Sequence, residues 1–195
     1  MKKILIIVCF LLVVFSFESF VWESPSIKVY ASSVLVKGGK DNSGVFNAFL
    51  SKCPIKAQVI IPDGVFYFDK TISVIDKGLC LQGAENTTLI FRNGVTGIIV
   101  DTKAGYPAGV FQINDLDILS WDKIGGGNGV EIHSITRMRN VFIKNFAGYG
   151  LFISADIGNH YSNASHSKID YIQVAECGKD GIHIRGGDAN AISFY

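Results

Sequence analysis

The sequence predicts an all-β fold, a parallel β-helix of stacked strand–glycine–strand units with an N-terminal capping α-helix. Three observations predict it. Four stretches repeat one pattern at uneven spacing, twenty-one glycines stand against four prolines, and one short amphipathic segment precedes the repeats. At 195 residues the chain suits a single domain. Eighteen Lys and Arg nearly balance seventeen Asp and Glu, so no global field points to nucleic acid or an anionic membrane as a partner.

Taken in order, the first element is a targeting segment. Met1, Lys2 and Lys3 supply a positive n-region, and Ile4–Phe17 an apolar h-region too short for a typical spanning helix. Val29-Tyr30-Ala31 has the small-residue spacing of a cleavage site. Residues 1–31 are therefore expected to be a signal peptide, with a retained N-terminal anchor as the alternative, and 32–195 to form the β-helix domain. Either way the folded part is exported, to the medium or the cell surface. Cys9 leaves with the signal. Cys53, Cys80 and Cys177 are too few and too irregular for a disulfide framework. Buried thiols are the better expectation for them, with a Cys53–Cys80 bond as the alternative. Asn86-Thr87-Thr88 and Asn163-Ala164-Ser165 match the glycosylation sequon, which matters only in a eukaryotic source.

The second element is a short helix. Asp41, Asn42 or Ser43 can cap it, and Val45, Phe46, Phe49 and Leu50 share one face before Pro54 stops it. "QVIIPDGVFYF" follows as strand, turn at Pro62-Asp63-Gly64, and strand.

The repeat comes next. Leu89/Phe91, Leu116/Ile118, Val141/Ile143 and Ile172/Val174 each open a unit as apolar-x-apolar, at intervals of 27, 25 and 31 residues. Each unit then reaches a glycine (Gly97, Gly129, Gly150, Gly181) and a second apolar pair: Ile98/Val100, Val130/Ile132, Leu151/Ile153 and Ile182/Ile184. An apolar-x-apolar pair is a short strand with one buried face, and the glycine is expected to bend the chain at positive φ. One unit cannot bury its own face, so units must stack, each strand beside its equivalent in the next turn. The alternative is an antiparallel sandwich with hairpins at Asn93-Gly94 and Asn128-Gly129. "AISFY" at the end looks like the opening of another turn, so the chain is expected to be the N-terminal part of a longer β-helix.

A Gly-Gly/Asp-rich turn, an amphipathic helix and "VIIPDGVFYF" in that order resemble the N-terminal entry of the pectate-lyase-like right-handed β-helix superfamily. "GLCLQGAENTTLIF" resembles its first full turn, and "CGKDGIHIRGGDANA" a later one. The resemblance runs from Val34 to Tyr195. It implies a right-handed parallel β-helix and a polysaccharide or cell-surface glycan as partner. It does not choose the reaction, since the superfamily includes polysaccharide lyases, glycoside hydrolases, epimerases and non-catalytic glycan-binding or tailspike-like β-helices. "NDLD" at Asn114–Asp117 and "IHIRGGD" at Ile182–Asp188 do not match the polygalacturonase-like pattern, and the calcium aspartates of pectate lyases are not recognisable. No catalytic residue carries over by motif. Ca2+ would follow only from a lyase, without a motif for it, and no other cofactor or metal is implied.

Stacking also predicts which side chains share an outer face. Ile99, Glu131, Phe152 and His183 form one column. Asp101, His133, Ser154 and Arg185 follow them, and Ile90, Asp117, Phe142 and Gln173 form a column on the other strand. At about 4.8 Å per strand, Glu131 and His183 lie about 9.6 Å apart across Phe152. Glu131, His183 and Arg185 are the catalytic candidates, and Asp117, His133, Phe142 and Phe152 the substrate-binding ones. Arg185 can pair with a sugar carboxylate, His183 can take a proton near neutral pH, and the aromatic rings can support a sugar ring. Ordinary solvated surface is the competing reading of this patch. Asp115 is expected at a turn before its strand, Asp180 and Asp188 as turn formers, and 158–168, with His160, Tyr161 and His166, as an exposed loop. "GGGNG" at Gly125–Gly129 lacks the lysine and spacing of a phosphate loop.

Overall fold

A computed structural model of the chain describes residues 27–102, 109–157, 160–161, 163–187 and 189–195. The expected targeting segment up to residue 26, and Asp188, lie outside the described residues. So does part of the expected 158–168 loop.

Strands β1 (Lys28–Tyr30), β2 (Gln58–Ile61), β3 (Gly64–Phe68), β5 (Cys80–Gly83), β6 (Thr87–Phe91), β8 (Phe111–Ser120), β10 (Thr136–Lys144), β14 (Lys168–Ala175) and β16 (Ser193–Phe194) form a nine-stranded sheet. Strands β4 (Ile72–Ile75), β7 (Ile98–Asp101), β9 (Val130–Ile132), β11 (Leu151–Ser154) and β15 (Ile182–Arg185) form a five-stranded one, ordered β15-β11-β9-β7-β4. Every pairing in these two sheets is parallel; the small ribbon of β12 (Asp156–Ile157) and β13 (His160–Tyr161) is antiparallel. The chain alternates between the two sheets, and each strand lies beside its predecessor from the previous visit. The antiparallel sandwich is thereby excluded. Asn93 and Gly94, both at φ 64°, carry the chain from one sheet to the other instead of closing a hairpin.

Apolar residues repeat in register because each inward position stacks on the same position one turn earlier. Val59, Leu81, Ile113, Met138 and Ile169 form one interior column, and Ile72, Ile98, Val130 and Leu151 another; all of these are buried. At about 1.5–3 kcal/mol for each buried aliphatic side chain, such columns supply much of the drive to stack. Phe68 and Phe91 pack with ring centroids 5.3 Å apart, with Phe46 and Phe146 at either end.

Two turns differ from expectation in an informative way. Gly97, Gly129, Gly150 and Gly181 are not among the positive-φ glycines. For the first three the role is close approach. A Cβ on Gly97 would stand 2.4 Å from the Gly129 carbonyl oxygen, one on Gly129 2.5 Å from that of Gly150, and one on Gly150 2.7 Å from that of Gly181. The glycines form a ladder that lets successive turns touch backbone to backbone. Asp115, in contrast, sits inside β8 and not before it. At φ 54° it bends one long strand, whose first half pairs with β5 and second half with β6. Asn140 (φ 53°) and Tyr171 (φ 48°) bend β10 and β14 at the same place.

At the N-terminal end, helix α1 (Ser43–Lys52) covers the edge of β4. Asn47 stands in for a missing strand: its amide donates to the Thr71 carbonyl (2.8 Å) and its oxygen accepts the Ser73 N–H (3.0 Å). Phe46 and Leu50 face inward, whereas Val45, expected with them, is 51% exposed. Asn42 is the N-cap residue without a side-chain cap bond. The capping acceptor is Asp41, whose Oδ1 takes the Ser43 N–H at 2.9 Å and the Ser43 hydroxyl at 2.6 Å. The helix ends before Pro54, where Lys77 donates to the Leu50, Ser51 and Cys53 carbonyls. Cys53, Cys80 and Cys177 are free thiols; burial pushes the Cys80 thiol up to about 11. Strand β1 lies ahead of the cleavage position expected after Ala31, and Ala31 itself is buried.

Candidate functional site

The outer face of the five-stranded sheet is the candidate site. Register places Ile99, Glu131, Phe152 and His183 in one column, with Ser154 beside Arg185. Glu131 is held by two donors, with a ring nitrogen of His133 beside it. Its Oε1 accepts the Asn128 amide at 2.7 Å and the Thr96 hydroxyl at 3.0 Å, and its Oε2 stands 3.3 Å from His133 Nε2. Burial alone would push the Glu131 carboxyl up, but hydrogen bonds from His133, Asn128 and Thr96, with the His133 ring alongside, outweigh it and leave the group below its ordinary value. His133 is buried, with Nδ1 3.0 Å from the Ser154 carbonyl oxygen. It therefore supports Glu131 from beneath.

A second cluster lies toward β15. Tyr149, Phe152 and His183 present three nearly parallel rings: centroids are 5.3 Å apart for Tyr149–Phe152, 4.4 Å for Tyr149–His183 and 5.8 Å for Phe152–His183. Two cations flank them. Lys179 Nζ lies 4.9 Å from the Tyr149 centroid, and the Arg185 guanidinium carbon 5.8 Å from that of Phe152. His183 Nδ1 is 3.0 Å from Asp180 Oδ2, which orients the ring and leaves Nε2 as the nitrogen available to a ligand. Asn128 joins the two clusters, because its Oδ1 also accepts the Tyr149 N–H at 2.7 Å.

The structure thus brings together Glu131, His133, Phe152, His183 and Arg185. It places Asp117 and Phe142 elsewhere, side by side on the nine-stranded sheet. Their column also departs from expectation. Asp117 pairs with Thr88, and Ile90 pairs two residues further on with Leu119. Asp180, expected only as a turn former, is the partner of His183. Thr96, Asn128, Tyr149 and Asp180 were legible by one signal: each immediately precedes a glycine of the ladder, so they stack as its outward neighbours. Among the described residues no group of three or more His, Cys, Asp or Glu side chains is placed to hold a metal ion.

The Glu131 network has a pH signature. Its folded value lies below its unfolded one, so its stabilisation is complete above the ordinary glutamate value of about 4.3 and is lost as pH falls through the lower folded value. The difference in thermal midpoint between the wild-type chain and Glu131→Gln is expected to be constant above pH ~5.5 and to shrink steadily below pH ~4.3. A difference independent of pH across that window would show that Glu131 is not held in this network.

Comparison with protein-family models, with curated proteins and with solved structures found no match to this chain, so its sheet topology and site geometry carry the functional reading.

Proposed function

We propose that the chain is an exported right-handed parallel β-helix of the pectate-lyase-like kind, acting on an acidic polysaccharide along its five-stranded sheet. The parallel alternation between two sheets supports the helical path, and parallel crossovers are right-handed almost without exception. The observation that carries the functional reading is the ring cluster of Tyr149, Phe152 and His183 with Lys179 and Arg185 at its margins. Flat apolar rings suit the faces of sugar rings, and the two cations suit the carboxylates of uronate units. In a lyase reaction His183, oriented by Asp180, removes the proton next to the sugar carboxylate while Arg185 balances that carboxylate's charge. The C–H electron pair forms the new double bond as the bond to the glycosidic oxygen breaks, and that oxygen leaves with a proton taken from water. Glu131, already held by the Asn128 and Thr96 donors, positions the surface and takes no proton.

A second reading, non-catalytic glycan binding, draws support from that same saturation of Glu131. One experiment separates the two. The purified chain is incubated with polygalacturonate, alginate and xylan, while absorbance at 235 nm and retention in affinity gels are followed. Rising absorbance that His183→Ala abolishes supports the lyase. Retention without product supports binding alone. Arg185→Ala is expected to weaken retention about tenfold, as loss of a charge-assisted hydrogen bond does. Neither product nor retention on any of the three polymers overturns both readings.

A further inference from the structure

The second feature that could bind a ligand lies on the other sheet. Where β8, β10 and β14 bend, an open groove of about 970 Å3 runs along the nine-stranded sheet, a size suited to a small organic ligand or a short oligosaccharide. Asp117 and Phe142 line it, together with Arg139, Tyr171 and Gln173. Register sets Phe142 directly between Asp117 on one strand and Gln173 on the other, so an aromatic ring is flanked by a carboxylate and an amide.

Tyr171 is the unusual member. The bend needs a residue at left-handed φ, and the two preceding turns use Asp115 and Asn140, types that tolerate it. The third turn places a bulky aromatic there at φ 48°. Nothing in the bend calls for a ring, since Asp115 and Asn140 make the same bend without one. Backbone strain of this kind persists where the side chain it displays has a use.

Charge separates this groove from the ring cluster on the other face. Glu85, Asp115 and Asp117 line it against Arg139, the one cation among its lining residues. Such a surface repels uronates, whereas Lys179 and Arg185 attract them.

We propose that this groove is a separate saccharide subsite for uncharged pyranose units. Tyr171 and Phe142 pack against the sugar faces, and Asp117, Gln173 and Arg139 hydrogen-bond the hydroxyls. The subsite stands independently of the acidic-glycan reading, since it shares no residue with the five-stranded face.

The test titrates the whole chain with cellohexaose, maltohexaose, mannohexaose, xylohexaose and hexagalacturonate, read by calorimetry and by NMR. At least one of the four neutral hexaoses is expected to bind, with little dependence on salt, and hexagalacturonate is expected not to shift the Tyr171 or Phe142 resonances. Tyr171→Asn, which restores the residue type of the preceding bend, is expected to keep or raise the thermal midpoint while weakening the neutral ligand at least tenfold. Phe142→Ala is expected to weaken it likewise, and Arg185→Ala to leave it unchanged. Absence of binding by all four neutral hexaoses overturns the proposal, as does undiminished binding by Tyr171→Asn and Phe142→Ala. Loss of neutral binding in Arg185→Ala also overturns it, by placing that ligand on the other face.

Discussion

Gly129→Ala is expected to cost the fold about 3 kcal/mol or more, a loss in the range of severe overpacking. The added methyl group would stand 2.2 Å from Ile143 Cγ2 and 2.5 Å from the Gly150 carbonyl oxygen. The first contact could be relieved by a side-chain shift. The second is backbone in the neighbouring turn and could be relieved only by separating the turns, which breaks their hydrogen bonds. For a chain of this size the thermal midpoint should fall by roughly 6–12 °C. Gly126, outside the ladder, is the control. A Cβ there would meet nothing within 4 Å, so Gly126→Ala should change stability by no more than about 0.5 kcal/mol. Equal losses at the two positions would refute backbone approach as the reason for these glycines.

The second large effect lies in the interior. Phe91 is buried, with its ring 5.3 Å from Phe68 and 6.3 Å from Phe146. It links the turn beneath helix α1 to the turns that follow. Phe91→Ala removes a large apolar volume where neighbours on both sides are anchored in strands and cannot collapse inward, and about 3–5 kcal/mol should be lost. Phe91→Leu, which keeps most of the volume, should cost under about 1.5 kcal/mol. Denaturant unfolding of the two variants measures both values. A small loss in Phe91→Ala would mean that the aromatic stack does not join these turns.

The five-stranded sheet was legible in the sequence almost residue for residue. Its strands are short, its inward positions are Ile, Val and Leu, and a glycine precedes each of the last four, so the alignment of Ile98, Val130, Leu151 and Ile182 in the sequence is their pairing in the structure. The nine-stranded sheet was less legible. Its bends are made by Asp115, Asn140 and Tyr171, which carry no glycine or proline signal, so one bent strand reads as a turn followed by a strand. The two-residue displacement of Ile90 from Asp117 has another cause: β6 opens on Thr87, a buried polar residue that the apolar pattern passes over. Helix α1 kept Val45 outside because the inward arc of so short a helix is narrow and already filled by Phe46 and Leu50. In the candidate site, the column Glu131–Phe152–His183 followed from strand alternation alone. Thr96, Asn128, Tyr149 and Asp180 share a position but no common chemistry, so apolar periodicity passes over them.

The bends and the connections also divide where this architecture can vary. At Asp115, Asn140 and Tyr171 a single residue turns the chain, and an inserted residue would throw the second half of the strand out of register. The links leaving the five-stranded sheet obey no such limit: Ile75 to Cys80 and Ile132 to Thr136 are short, whereas Asp101 to Phe111 and Ser154 to Lys168 are long. Length also varies on the way into that sheet, where Ser120 to Val130 is longer than Phe91 to Ile98 or Lys144 to Leu151. A lineage built on this plan could acquire new ligand preferences by lengthening or trimming those links while its rungs stayed unaltered.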